Sequence, residues 1–160
     1  MRQIIYTMQF NGHVTPLGTS PNVMKATTTA ASCTWATVVG QDGLQSTLEP
    51  AAGDQARFES EVTLLGGFES SEVTSVGESG FKETGTITFG VGGHRLRFST
   101  IGQGYLGPSP ESNLRQGAAM WQVDGGEGQF EGARGVITSN FTVNDAGEVI
   151  DHHMGVIFVR

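Results

Sequence analysis

The sequence predicts an all-β protein: a closed antiparallel β-barrel of about eight strands, with little helix, in a single domain over residues 1–160. Three observations predict this fold. Apolar residues recur mostly with a period of two, the spacing of half-buried strands. Glycine and threonine are abundant, and helix signals are nearly absent. Tight turns join the strand-like segments, and a strand at each chain end allows closure, which removes the open edges of a sheet.

The first segment predicts a strand, and the next is ambiguous. Ile4, Tyr6, Met8 and Phe10 alternate with other residues and therefore share one face of the opening strand. Residues 11–32 carry two prolines and a run of Thr and Ala. That composition fits a long loop or lid beside one mouth of the barrel, and an irregular strand is the equal alternative.

Two hairpins follow. Residues 56–65 alternate apolar and charged side chains, as in a strand between a core and water, and a glycine pair separates them from a second strand over 68–76. Residues 81–91 place Phe81, Ile87, Phe89 and Val91 on one face, and a second glycine pair leads to the strand 94–100.

The last third predicts three more strands. Residues 102–117 contain two prolines and are too long for a hairpin turn, so we expect them to cap the opposite end of the barrel or to gate a cavity. Strands at 116–123 and 135–143 flank a glycine-rich stretch. In the closing strand we expect the inward residues to be Ile150, His152, Met154, Val156 and Phe158.

Charge and composition exclude several classes of partner. The formal net charge is −7, and only nine Lys and Arg are scattered along the chain, which argues against nucleic acid or an anionic membrane as partner. Cys33 is the only cysteine and suits a reducing compartment. The opening residues alternate rather than form the apolar core of a signal peptide, and no run approaches the roughly 20 apolar residues of a membrane span. We therefore expect a cytoplasmic protein.

The glycine-rich stretch GGEGQFEGARG, residues 125–135, does not fit a nucleotide-binding loop. Its glycines have the spacing GxGxxxG instead of GxGxxG, and the segment after it is β-branched and alternating rather than helical. No GK[ST] motif is present, and Glu127 and Glu131 would repel a phosphate.

The run Gly126–Gly135 resembles the glycine-Phe-x-Gly-Ala-x-Gly turn that precedes a late strand in the allene oxide cyclase-like and dirigent-like barrels. The resemblance is clearest over residues 115–160. Phe130 would plug one end of such a barrel, and the glycines would permit a left-handed or close-packed backbone. The resemblance implies an apolar cavity that holds a hydrophobic small molecule. These families include cofactor-free cyclases. The resemblance therefore implies a cofactor-independent cyclase, isomerase or lyase, and we expect no cofactor.

Polar groups on otherwise apolar strand faces are the candidates for chemistry, because their burial needs a partner or a purpose. His152 could act as a general acid or base, or be a hydrogen-bonded core histidine. Glu83 shares a face with Phe81 and Ile87; buried there, its pKa would rise and it could donate a proton, whereas at a strand end it would be a solvated residue. Tyr6 could orient a ligand oxygen or serve only in packing.

A second set of residues could line the cavity and bind substrate. Asn140 depends on which face of its strand is interior, and the opposite face is more apolar. The predicted substrate-binding residues are Phe89, Phe98, Tyr105, Met120, Trp121 and Asn140. We expect no metal site, because His152 and His153 are adjacent and point to opposite faces, although Asp151 and His153 share one.

Two other functions remain open. A lipocalin-like binding protein would have the same cavity with a fully apolar lining and with His152 and Glu83 at the surface. An interaction module would have a barrel filled by side chains. The expected partner is a hydrophobic small molecule, and a homodimer through sheet faces is a weaker expectation.

Overall fold

The computed structural model describes residues 1–40, 43–50, 56–67 and 79–160, and the side chains of 1–30, 56–65 and 79–160. The described residues form ten strands and a 3-10 turn at Gly128–Phe130. The strands are β1 (Arg2–Pro16), β2 (Val23–Gly40), β3 (Gly43–Pro50), β4 (Ala56–Gly67), β5 (Ser79–Phe89), β6 (His94–Thr100), β7 (Gly104–Pro108), β8 (Leu114–Glu127), β9 (Arg134–Asn144) and β10 (Glu148–Val159). No helix in these ranges has the length and apolarity needed to cross a membrane.

Eight strands close into an antiparallel barrel, which confirms the predicted fold class. Their order is β1-β10-β9-β8-β6-β5-β4-β2, and β2 pairs with β1 to complete the circle. The two chain ends make the closure, since β1 and β10 pair from Arg2 opposite Val159 to His13 opposite Glu148. β7 lies between β5 and β8 and so continues the position of β6, while β3 pairs with the distal half of β2.

Three segments differ from or refine the sequence predictions. Residues 11–32 are mostly strand, so the strand alternative is correct. β1 extends to Pro16 and β2 begins at Val23, and the two strands pair. Pro16 ends β1, and Pro21 lies in the turn before β2. Residues 102–117 contain β7 and the start of β8 rather than one long loop. Val91 is fully exposed because β5 ends before it, in the turn to β6.

Some predictions lie outside the described residues. The partner strand expected at 68–76 falls there, and so does the side chain of Cys33. The predicted hairpin between β5 and β6 does form, with Phe89 opposite His94.

Aromatic side chains fill one end and the middle of the barrel. At the closed end Phe130 is buried against Phe89, and Phe89 packs edge-on against Tyr6, so Phe130 plugs the barrel as expected. Farther along the axis lies an aromatic layer with ring centroids 4.2–6.3 Å apart. The aromatic layer consists of Phe10, Phe58, Phe98, Trp121 and His153. Large rings fill this half, and the cavity described below lies toward the other end.

The glycine-rich stretch contributes to this plug through close backbone contact. A Cβ atom on Gly126 would overlap the carbonyl oxygen of Arg95 and lie 2.7 Å from Cβ of Phe130. Gly128 and Gly132 have φ of +63° and +66°, in the left-handed region that glycine adopts most readily. The stretch is therefore structural, as its spacing predicted.

Replacing Gly126 by Ala should destabilise the protein by about 3 kcal/mol, the upper end for overpacking, because the overlapped atom belongs to the backbone of a paired strand. Urea unfolding measures the effect. The control is Gly80→Ala, where a Cβ would meet only the flexible end of the Gln103 side chain, and the change should be within about 0.5 kcal/mol. Equal stability of the two variants would contradict the close contact.

Candidate functional site

A cavity of about 470 Å³ occupies the open half of the barrel, within the roughly 300–1,000 Å³ of small-molecule sites. Its mouth is formed by the turn between β9 and β10 and by the adjacent strand ends, including Pro16 and Arg115. Its walls are mostly apolar and come from seven strands. The apolar wall residues are Val14, Met24, Ala26, Val62, Leu64, Phe81, Leu106, Phe141, Val143 and Val149.

Four polar side chains line the same cavity at the end that borders the aromatic layer: Thr28, Glu83, Ser139 and Asp151. We call these four residues the polar floor. All are buried. Polar groups are costly to bury without partners, so each hydrogen bond they make, or lack, is informative.

Asp151 is held by two hydrogen bonds. The Ser139 hydroxyl donates to Oδ1 at 2.7 Å, and Nε2 of His153 lies 2.9 Å from Oδ2. Because an ionised carboxylate only accepts, Nε2 carries the proton in this pair. The register of β9 and β10 places Ser139 directly opposite His153, which brings the three side chains together. The hydroxyl contacts the carboxylate and not the imidazole, unlike the Ser-His-Asp arrangement of hydrolases.

Glu83 sits in a different environment. The Ser60 hydroxyl donates to its Oε1, and Thr100 Oγ1 accepts from the Glu83 backbone N–H at 2.8 Å and so holds that part of β5. Burial, with a smaller contribution from the charge of Asp151, raises the pKa of Glu83 to about 8 against the opposing effects of Ser60 and Trp121. The carboxyl is therefore largely protonated at neutral pH.

The two carboxyl groups of the polar floor lie on opposite walls. Glu83 is on β5 and Asp151 on β10, which are four strands apart in either direction around an eight-stranded barrel. Within the described residues Glu83 forms no ion pair, and this part of the chain contains all nine Lys and Arg. A carboxyl without a cation in apolar surroundings keeps its proton, whereas Asp151 has two donors.

Several buried polar atoms have no hydrogen-bond partner among the residues with described side chains. Thr28 Oγ1 is the one in the polar floor, and Thr28 is only 1% exposed. Three more such atoms lie deeper in the barrel: Tyr6 Oη, Trp121 Nε1 and His153 Nδ1. The Trp121 N–H is near enough to Glu83 to lower its pKa, without meeting hydrogen-bond geometry.

Of the three predicted catalytic residues, one lines the cavity. Glu83 is buried on the predicted face. Tyr6 points inward but lies near the closed end against Phe89 and Gly155, away from the cavity; burial and the charge of Asp151 raise the pKa of its hydroxyl. The inward position predicted for His152 is wrong, since its side chain is exposed on the outer face.

The error at His152 has a physical reason. The inward face of β10 consists of Val149, Asp151, His153, Gly155, Ile157 and Val159. The outward face carries large apolar residues, and Met154 is 51% exposed. Apolar character alone therefore favoured the wrong face. The inner face includes Gly155, because a side chain there would overlap the Tyr6 ring.

None of the six predicted substrate-binding residues is among those that line the cavity. Phe98 and Trp121 belong to the aromatic layer, and Phe89 lies near the closed end. Tyr105, Met120 and Asn140 are exposed on the outer surface, because the alternation of β7, β8 and β9 turns their neighbours inward.

The structure does bring three of the misassigned residues together outside the barrel. Tyr105, Asn140 and His152 line a shallow outer groove of about 410 Å³ across β7, β8, β9 and β10. This groove is separated from the polar floor by the barrel wall, since the two sets of residues occupy opposite faces of the same strands.

Sequence reasoning missed Thr28, Ser139, Asp151 and His153 as members of one site. One sequence feature could have identified this site. Asp151 and His153 share a strand face with Val149 and Ile157, so an acid and an imidazole alternate with apolar residues on one face. In the described ranges no group of three or more His, Cys, Asp or Glu side chains could hold a metal ion.

The fold and the cavity together define a closed β-barrel with a partly polar internal site. Comparison of the chain with protein-family models, with curated proteins and with solved structures gives no match.

Proposed function

We propose that the protein is a cofactor-independent isomerase, cyclase or lyase that transfers protons on a small hydrophobic substrate inside the barrel. One observation carries the proposal: the polar floor holds two buried carboxyl groups on opposite walls in different surroundings, Glu83 without an ion pair among the described residues and Asp151 with two hydrogen-bond donors. Paired titratable groups whose surroundings separate their protonation states are the usual arrangement for acid–base catalysis.

Each residue of the polar floor then has a defined role. Glu83 is the general acid, because it holds a proton at neutral pH inside the cavity. Asp151 is the general base. Ser139 and His153 are positioning residues that orient the Asp151 carboxylate through its two oxygens. The apolar walls exclude water and hold the substrate in a reactive conformation.

The alternative function is a non-catalytic, lipocalin-like binding protein. It predicts a fully apolar lining with His152 and Glu83 at the surface. His152 is exposed, as this alternative predicts, whereas Glu83 is 6% exposed and the four residues of the polar floor line the cavity. These observations favour chemistry over simple binding. A cavity of about 470 Å³ disfavours the third idea, a barrel filled by its own side chains.

Relationship to the allene oxide cyclase-like barrels, a cytoplasmic location and pairing of two copies are further parts of the proposal. The glycine-rich turn at Gly126–Gly135 supports the relationship, and the single cysteine supports the location. The plugging position of Phe130 agrees with the role that the resemblance implies.

The test is a screen of small apolar compounds in D₂O for deuterium uptake or rearrangement, read by mass spectrometry. For a compound that reacts, Glu83→Gln and Asp151→Asn should each lower kcat/KM at least about 100-fold. His152→Ala, which changes only the outer groove, should leave kcat/KM within about twofold. Full activity of both carboxyl variants, with their folds intact by circular dichroism, would contradict the assigned roles.

A further inference from the structure

We propose that the polar floor recognises an uncharged carbonyl compound, with the carbonyl oxygen at Glu83 and Thr28 and an adjacent C–H bond directed at Asp151. This inference rests on the proposed function, because it names the substrate class of the same site. Its starting point is that the polar floor combines two unused donors, Thr28 and Glu83, with a carboxyl group on the wall opposite Glu83, that of Asp151.

The donors identify the group as a hydrogen-bond acceptor. Thr28 lies on β2, two strands from Glu83 on β5 and two strands from Asp151 on β10, so its hydroxyl lies between the two carboxyl groups around the barrel. The Thr28 hydroxyl has no partner in the described part of the chain although it is 1% exposed. The Glu83 carboxyl lacks a cation and already accepts a bond from Ser60, so its proton is available to a ligand oxygen.

The polar floor disfavours an anionic ligand by its charge and an ammonium ligand by its hydrogen-bond donors. An anionic head would meet Asp151 and a second carboxyl in low-dielectric surroundings. Asp151 would attract an ammonium head, but such a head only donates hydrogen bonds, so the protons of the Thr28 hydroxyl and of Glu83 would stay without an acceptor. Arg115 and Asp145 lie at the mouth of the cavity, on the far side of the apolar walls. An uncharged head therefore fits the polar floor best.

A carbonyl compound also balances the proton transfer. Asp151 takes the proton from the carbon next to the carbonyl, and the electrons of that C–H bond form a C=C bond. The electron pair of the C=O π bond takes the Glu83 proton, which yields an enol, a neutral Asp151 and a Glu83 carboxylate. The enol O–H then returns its proton to Glu83, and Asp151 returns its proton to the same carbon or, where a second C=C bond is conjugated with the enol, to the far carbon of that bond. No net oxidation and no further reactant is needed.

The binding test uses four compounds with one nine-carbon skeleton or chain: nonan-2-one, nonan-2-ol, nonan-2-amine and nonanoate. Each competes with the neutral fluorescent probe N-phenyl-1-naphthylamine for the cavity. The ketone should displace the probe at a concentration at least about tenfold lower than the amine or the carboxylate. Thr28→Val keeps the side-chain shape, and it should weaken ketone binding about tenfold while leaving probe binding within twofold.

The chemical test is deuterium uptake from D₂O at the carbons beside the carbonyl of nonan-2-one. The wild type should accelerate uptake, and Asp151→Asn should remove the acceleration. Preferred binding of the amine or the carboxylate would overturn the carbonyl assignment, and activity on another compound class would leave the proposed function standing. Ketone binding that depends on Thr28 without any uptake would support the ligand class and overturn the isomerase function.

Discussion

Replacing Glu83 by Gln should remove a pH-dependent loss of stability of about 4 to 5 kcal/mol that the wild type undergoes between about pH 4.5 and pH 8. In the folded protein burial raises the pKa of Glu83 from 4.5 to about 8. Each pKa unit corresponds to about 1.4 kcal/mol. Glutamine keeps the acceptor for the Ser60 hydroxyl and cannot ionise, so the fold retains its hydrogen bond without the titration.

The sign follows from proton linkage. Below pH 4.5 the carboxyl is protonated in both states, so its favourable effect on folding is fully present. Between pH 4.5 and 8 the unfolded chain releases the proton while the folded protein keeps it, so the stability from this group falls as pH rises through the folded pKa. Above pH 8 both states are ionised and the loss is complete.

Urea unfolding of wild type and Glu83→Gln at pH 4.5, 6, 7 and 8.5 measures the effect, because subtracting the two curves cancels the other titrating groups. The free energy of unfolding of the variant, relative to that of the wild type, should rise steadily up to pH 8. Glu61→Gln is the matched control: Glu61 is exposed on β4, and its difference from the wild type should stay nearly constant. Parallel curves for Glu83→Gln and the wild type would mean that Glu83 is not a buried acid.

Replacing Asp151 by Ala should destabilise the protein by about 2 to 6 kcal/mol, because two buried donors lose their acceptor and each unsatisfied donor costs about 1 to 3 kcal/mol. The change leaves the Ser139 hydroxyl and Nε2 of His153 without their acceptor, and both side chains are buried. His153 also packs against Phe10 and Trp121, so it cannot reach water without opening the aromatic layer. Asp151→Asn keeps an acceptor oxygen, so it should lower the free energy of unfolding by less than Asp151→Ala does.

Thermal and urea unfolding at pH 7 check this expectation. Asp124→Ala is the control, because Asp124 also accepts a side-chain hydrogen bond, from Gln122, but on the exposed face of β8. Its loss should stay within about 0.5 kcal/mol. In a double-mutant cycle, Asp151→Ala and Ser139→Ala should couple by roughly 0.5–3 kcal/mol. Additive losses would show that the hydrogen bond contributes nothing to stability.

Glu83 and His152 illustrate how far strand periodicity predicts a site. On β5 the inward face carries Phe81, Glu83 and Ile87, so hydrophobicity located the face and the carboxyl together. On β10 both faces carry apolar residues, and the more apolar one is outside. A period of two identifies that two faces exist, but when neither is clearly polar it cannot say which is buried.

The sequence by itself determined the fold class, the hairpin between β5 and β6, the structural role of the glycine-rich stretch and the strand face that carries Glu83, because alternation and turn chemistry are local properties of the chain. Only the tertiary structure decided which face of β10 is internal and which residues form the polar floor. Closure of the barrel places β5 opposite β10 and aligns Ser139 with His153, and these pairings join residues far apart in sequence. The pair of carboxyl groups that supports a chemical function exists only once the barrel is closed.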